Sequence, residues 1–249
     1  MITLKGKDVL EAGCGAGRFT EHLLAAGANV FAVDLSQAVE ANYANCSRYS
    51  NYYVCQGDIL RLPVSPGQFD VVFCIGVVQH TPNPEETVRV LCSHLKPGGG
   101  LIMDHYAHAY PISKSRRILR SWLLRMSPSF SFVFCKLLVS LTWPMHRVLW
   151  KLRNHKTANI ARQFFLRLSP VVDYQAAYPE LGEKMLRTWA LLDTHDTLTD
   201  VYKHLRSARE LSEQLRACGM IRVETVYAGN GVEVRARRPD DKRLRRRQN

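Results

Sequence analysis

Several things are missing from this chain of 249 residues. Its seven cysteines, at positions 14, 46, 55, 74, 92, 135 and 218, form no CxxC pair and are odd in number. That excludes the usual zinc spacings and a disulfide framework, and points to reduced thiols in a cytoplasmic protein. No long apolar run stands at the N-terminus. Residues 1–7 lead straight into a strand-like segment, so no secretory signal is expected. The most apolar stretch, 130–150, is interrupted by Lys136, Pro144 and Arg147. A spanning helix wants about 20 apolar residues with few charges, and none is expected. Asp and Glu are absent between 105 and 172, a segment that holds twelve Lys and Arg.

What is present begins at residue 9. Val9-Leu10-Glu11-Ala12 is an apolar run that meets Gly13-Cys14-Gly15-Ala16-Gly17. Gly13 and Gly15 permit backbone angles that side chains forbid, and they let a ligand lie against the main chain. A helix-like run, 19–26, follows, and its first turn offers unpaired N–H groups. Strand, glycine turn and helix in that order build a nucleotide-type site. A dinucleotide fingerprint would want glycine at 18, where Arg18 stands. Residues 29–33 read as a second strand that ends in Asp34. A carboxylate there can accept from both ribose hydroxyls of a nucleoside. Its plainer role, a helix N-cap, is better filled by Ser36. A third run, 52–56, ends in Gly57-Asp58-Ile59. A fourth, 69–75, is almost wholly apolar, as a strand buried on both faces should be. Asn83-Pro84-Glu85-Glu86 starts a helix. Lys96-Pro97-Gly98-Gly99-Gly100 ends it, and 101–103 opens a fifth strand.

The alternation Glu11-x-Gly13-x-Gly15-x-Gly17, with the pieces that follow it in order, resembles the class I S-adenosylmethionine (SAM) methyltransferases of the type 11 group. Residues 7–106 carry the resemblance closely, and 207–237 resemble the family's closing helix and last two strands. The resemblance implies an α/β, Rossmann-like fold. Its seven-stranded, mostly parallel sheet would have the order 3-2-1-4-5-7-6, with a helical insertion after strand five. The implied divisions are a SAM-binding core at 1–106, a basic helical insertion acting as substrate cap at 107–192, a closing helix and strands at 193–238, and a basic disordered tail at 239–249. The implied cofactor is SAM, held by Glu11, Gly13, Cys14, Gly15, Gly17, Asp34, Leu35, Asp58, Ile59 and Ile75. Asp58 would accept from the adenine amino group, and Ile59 would pack on the ring. Family members usually carry N-terminal helices over the cofactor. This chain starts a few residues before strand one, so a more open pocket is expected, or one covered by the insertion or by another subunit.

Strand four ends at Ile75-Gly76-Val77-Val78-Gln79-His80, next to strand one at the switch point. His80 is the first candidate for a general base or acceptor-binding group; fixing the loop is its plainer role. His105 and Tyr106 leave strand five toward the same pocket. Asp193-Thr194-His195-Asp196 forms a second polar cluster, with His195 able to close over a substrate; a helix-initiating turn is the alternative. Some quinone and lipid methyltransferases have an acidic residue just before the loop histidine that helps hold a metal. Gln79 stands there, so no metal is expected.

The insertion reads as helices at 112–126, 131–141, 145–153 and 158–168, punctuated by Pro111, Pro128, Pro144 and Pro170. Phe130, Phe132, Phe134, Trp143 and Trp150 lie in it. It could be an internally packed cap, a membrane-surface patch with a basic rim, or a nucleic-acid surface. The aromatics cluster with aliphatic residues rather than with basic ones, which argues against nucleic acid. The net charge of +12 is carried by this segment and by the tail. Such asymmetry suggests an anionic surface, with an anionic membrane touched peripherally. The expected function is SAM-dependent methyl transfer to a small-molecule acceptor, lipid-linked or glycan-type. The alternatives are methylation of a soluble secondary metabolite and a SAM-binding scaffold without turnover.

Overall fold

The computed structural model describes residues 3–108, 113–229 and 231–240. The tail expected to be disordered lies outside the described residues from 241 on. Two compact units divide the chain, one made of 1–110 with 202–249, the other of 111–201.

The first unit is built on β1 (Asp8–Ala12), β2 (Asn29–Asp34), β3 (Tyr52–Gln56), β4 (Phe69–Cys74), β5 (Leu95–Tyr106), β6 (Ile221–Ala228) and β7 (Gly231–Arg237). They form one sheet of order β3-β2-β1-β4-β5-β7-β6, the order expected. Strands β1 to β5 pair in parallel, and β7 runs antiparallel to both β5 and β6. The inner strands read as apolar runs because both faces are covered. On one face Leu10, Val72, Met103 and Val234 pack against residues of α3 (Pro84–Ser93) and α8 (Ala208–Ala217). On the other, Val9, Val30 and Val71 meet Leu23 and Leu24 of α1 (Thr20–Ala25) and Cys46 of α2 (Ala38–Cys46). Local signals place the helix starts. Asn83 accepts from the Glu86 N–H with Pro84 in the first turn, and Ser207 forms a capping box with Glu210.

One expectation is corrected here. Lys96 to Gly100 does not merely stop a helix; it is the first part of β5. The Lys96 ammonium sits 2.7 Å from Asp8 and 3.1 Å from Asp70, which ties this segment to the lower edge of β1 and β4. Because β1 to β5 run in parallel, their carboxyl ends share the opposite edge, where ligands bind in such sheets.

The second unit contains α4 (Lys114–Leu123), α5 (Pro128–Lys151), α6 (Lys156–Leu168) and α7 (Glu183–Thr199). Expected breaks at Pro144 are absent: the segments at 131–141 and 145–153 are one 24-residue helix with Pro144 inside it. Proline costs this helix one backbone hydrogen bond. Packing of Val139 and Trp143 against Leu186 and Ala190 holds the rod together across the gap. This α5 is also long and apolar enough to cross a membrane by length and composition, contrary to the reading of its sequence. One side of it is spoken for within the unit, where Ser131, Cys135, Val139, Trp143 and His146 are buried. Trp143 is therefore core and not surface, and the Trp150 ring is stacked under the guanidinium groups of Arg153 and Arg162.

Candidate functional site

The site is built from the sheet edge upward. Gly13, Gly15 and Gly17 all adopt positive φ, at +82°, +49° and +98°. A Cβ on Gly13 would lie 2.1 Å from Val77 Cγ2, so glycine is required for contact with the loop after β4. Above Gly15 nothing lies within 4 Å. The N–H groups of Gly13 and Cys14 both donate to the Val33 carbonyl, at 2.7 and 3.0 Å, and bind the turn to the end of β2.

Asp34 is the hinge of this arrangement. One carboxylate oxygen accepts from the Gly15 N–H at 2.8 Å, the other from the Ser36 N–H at 2.9 Å and hydroxyl at 2.6 Å. The oxygen that faces Gly15 accepts only once and keeps lone-pair capacity for a ligand hydroxyl, whereas the other already accepts twice from Ser36. The Asp34 carbonyl accepts from the Gly57 N–H, which brings Asp58 to the same edge. Asp58 caps the short 3-10 turn Ile59–Arg61 by accepting from the Leu60 N–H at 2.9 Å. Ile59 is partly buried, Ile75 follows β4 at the same edge, and Leu35 is 71% exposed.

Two expected cofactor contacts are corrected. Cys14 turns its thiol into the core, burial pushes that thiol up to about 12, and its N–H is already used by Val33. Glu11 lies beneath the loop and not on its outer surface. Its carboxylate accepts from the Thr20 hydroxyl at 2.6 Å. Thr20 in turn accepts from the Asn42 amide at 3.0 Å, whose oxygen accepts from the Tyr52 hydroxyl at 2.6 Å. The same amide donates to the Gly15 carbonyl at 3.2 Å. This buried chain supports the glycine turn from below. Reading the sequence missed Thr20, Asn42 and Tyr52, because nothing local marks a network that crosses a helix and a strand.

Burial raises the Glu11 carboxyl to about 7, against the lowering bond from Thr20, with the Asp34 charge adding to the rise. A carboxyl raised on folding binds protons that the unfolded chain releases, so stability falls as pH rises from about 4.5 to about 7. Glu11→Gln keeps an acceptor for Thr20 and removes the charge. It should flatten that fall, a gain of up to about 3 kcal/mol at neutral pH. Urea unfolding of both proteins across this pH range measures it, and parallel curves would contradict the assignment.

On the acceptor side the structure brings together His80, Tyr106 and a residue the sequence did not flag, Asp104. The His80 and Tyr106 rings meet edge to face at 5.2 Å, and His80 Nδ1 donates to the Tyr202 carbonyl at 3.0 Å. Asp104 accepts from the Gly76 N–H at 2.6 Å. Burial raises its carboxyl above the ordinary range, partly offset by that bond, and His80 is among its electrostatic neighbours. Strand alternation puts Asp104 and Tyr106 on one face of β5 and His105 on the other. His105 is thus corrected as a site residue: its ring is buried, and burial lowers it to about 4. His195 lies in α7 of the helical unit, where its ring meets Phe132 at 5.4 Å and Ser131 Oγ at 3.4 Å. Its neighbours Asp193 and Thr194 hold Tyr174 and Val172, so the cluster at 193–196 is packing within a helix and not its first turn. Among the described residues no group of three or more His, Cys, Asp or Glu could hold a metal. The Gln79 side chain is buried with neither amide atom partnered among these residues.

Comparison with known proteins meets this geometry. Residues 10–103 match the methyltransferase domain of the type 11 group. The chain is 39% identical over 106 residues to a ubiquinone biosynthesis O-methyltransferase from Coxiella burnetii, covering 41% of this chain and 45% of that protein. It is 30% identical over 129 residues to one from Methylococcus capsulatus, covering 51% and 54%. The chain thus matches about half the length of these relatives. Among solved structures, an S-adenosylmethionine-dependent methyltransferase from Mesorhizobium loti is similar at a TM-score of 0.54 and 13% identity, over 96% of this chain and 94% of that one. A Haloferax volcanii methyltransferase, solved with a methyltransferase activator, gives 0.54 and 14% over 96% and 85%. At these identities the structures speak for the fold alone. SAM is the cofactor of the family, and the residues present fit it. The space above Gly15 is open, and the carboxylates of Asp34 and Asp58 match hydroxyl and amine donors.

Proposed function

We propose that this chain binds SAM along the carboxyl edge of β1 to β4 and transfers its methyl group to a hydroxyl of a small amphipathic acceptor. The observation that carries the reading is Asp34, held between Gly15 and Ser36 beside open space. Asp34 would take the ribose hydroxyls, Asp58 the adenine amino group, and the Gly13 to Gly17 backbone the remainder. SAM, when bound, supplies an electrophilic methyl on a sulfonium. The chain supplies position, which contributes roughly 7–11 kcal/mol in such reactions, and a base. With Nδ1 donating to Tyr202, the neutral His80 ring carries its lone pair on Nε2. That nitrogen would take the acceptor's proton, with Asp104 and Tyr106 beside it. The relatives' name, ubiquinone biosynthesis O-methyltransferase, supports an oxygen acceptor.

The helical unit supports the amphipathic part of the reading and a peripheral contact with an anionic membrane from the cytoplasmic side. Its described helices α4, α5 and α6 carry Lys and Arg without Asp or Glu, and they expose large apolar residues.

His80→Ala should keep SAM affinity and lower methyl transfer by about 10²–10⁴-fold, the usual share of a general base. Transfer of labelled methyl from SAM into solvent-extractable and water-soluble fractions of a cell extract, alongside calorimetry of SAM, decides. Loss of SAM binding in the variant would move His80 to the cofactor. Label confined to water-soluble products would overturn the amphipathic acceptor.

A further inference from the structure

A groove of about 670 Å³ runs between α5 and α7. Its floor is apolar, Val139 and Leu191, and its walls carry three cations, Lys136, Lys184 and Arg187, with the hydroxyls of Ser140 and Thr188 between them. The Arg187 guanidinium is oriented by donating to Ser140 Oγ at 2.9 Å. The one acid in the lining, Glu183, is paired with Arg147 at 2.9 Å. The Ser140 and Thr188 hydroxyls donate to the Lys136 and Lys184 carbonyls at 2.7 and 2.9 Å, so the three cations are the donors, and three cations over an apolar floor suit a phosphate with an apolar body attached.

The flank of the groove says where that body would lie. On α5, Val133, Leu137, Leu141, Val148 and Leu152 are 55, 58, 79, 51 and 44% exposed. Their spacing of four and seven residues sets them on one stripe of the helix. That stripe lies opposite the residues buried in the unit, Val139, Trp143 and His146. Lys136 and Ser140 lie on the edge between stripe and core. An apolar stripe with a cationic edge is the arrangement of a helix lying in a membrane interface.

We propose that the α5–α7 groove binds the phosphate headgroup of an anionic phospholipid while the exposed stripe of α5 lies in the bilayer surface. The proposal rests on the peripheral membrane contact proposed above and adds a defined headgroup site to it. It commits to lipid as the source of the phosphate.

The test is sedimentation of the full chain with vesicles of phosphatidylcholine, with and without phosphatidylglycerol. The wild type should sediment with the phosphatidylglycerol vesicles. Lys136→Ala with Lys184→Ala should weaken binding by about fivefold for each lysine lost. Lys156→Ala with Arg167→Ala removes the same charge from α6, and should change binding by less than about twofold if headgroup contact is local. Leu137→Ser with Leu141→Ser should weaken binding while leaving the groove intact. Equal losses in the two charge pairs would overturn the groove and leave general membrane attraction standing. Failure of the wild type to sediment would overturn both. Release of the bound protein by inorganic phosphate at the concentration of lipid phosphate, under conditions where equal chloride does not release it, would assign the groove to a free phosphate and overturn the lipid source. Unchanged melting of each variant establishes that folding is not the cause.

Discussion

Gly13→Ala should abolish measurable SAM binding, while Gly15→Ala should only weaken it. Both glycines have positive φ, so both substitutions meet the left-handed penalty of about 1–2 kcal/mol. Only at Gly13 does the new methyl also collide with a neighbour, Val77 Cγ2 at 2.1 Å. Overpacking of this kind costs about 1–3 kcal/mol more. Relief requires the turn to move away from the loop after β4. That motion breaks the bonds from Gly13 and Cys14 to Val33 and displaces Gly15 from Asp34. The total, about 2–5 kcal/mol, falls on the segment that shapes the ligand site. Calorimetry of SAM with both variants, at a temperature where both are folded, checks the contrast. Equal affinities for the two would mean that the Val77 contact does not shape the site.

Asp173→Ala should destabilise the helical unit by about 3–5 kcal/mol, the usual cost of removing one partner from a buried ionic network. Asp173 accepts from His146 Nδ1 at 3.0 Å and from the backbone N–H of Gln175 at 2.9 Å, with the Arg162 guanidinium at 3.8 Å. His146 continues through Nε2 to Ser169 Oγ at 3.0 Å. The side chains of Asp173, His146 and Arg162 are 3, 0 and 8% exposed, so water cannot replace the lost acceptor. Burial raises the Asp173 carboxyl, but the bonds from His146 and Gln175 outweigh it and hold the group below the usual carboxylate range. A carboxyl lowered on folding adds stability that is complete above its unfolded pKa and lost as pH falls through the folded one. The variant should therefore lose most relative to wild type at neutral pH and least in strong acid. Denaturant unfolding followed by tryptophan fluorescence, all four tryptophans lying in this unit, measures both. A change under about 1 kcal/mol at neutral pH would contradict the network's role. The same constellation has the order of a hydrolytic triad, yet Ser169 is buried and accepts from the Val171 N–H, so it works as a brace.

The first five strands were legible because apolar runs alternate with glycine and carboxylate signals at fixed places, while their order and the last two strands came with the family resemblance. Gly13 and Asp34 were legible for the same reason: each stands where a parallel strand meets its turn. The misreadings have physical causes. His105 looked equivalent to Tyr106, although a period of two along β5 sends neighbouring side chains to opposite faces; applied strictly, that alternation would have selected Asp104. Pro144 looked like a break, and tertiary packing overrode it. Thr20, Asn42 and Tyr52 carry no local mark, because their meaning comes from the packing of α1, α2 and β3 under the glycine turn. The sequence left open whether the aromatics of the insertion are core or surface; Trp143 is core, Phe130 and Phe132 are exposed at the start of α5, and the stripe beyond them is aliphatic.

The central claim is a SAM site on the carboxyl edge of β1 to β4. Titration of SAM into the wild-type chain, followed by displacement with S-adenosylhomocysteine, tests it most directly. Saturable binding of one SAM per chain, competed by S-adenosylhomocysteine and lost in Gly13→Ala, is the predicted result. A folded wild-type chain that gives no saturable binding, or binding that Gly13→Ala leaves unchanged, would contradict it.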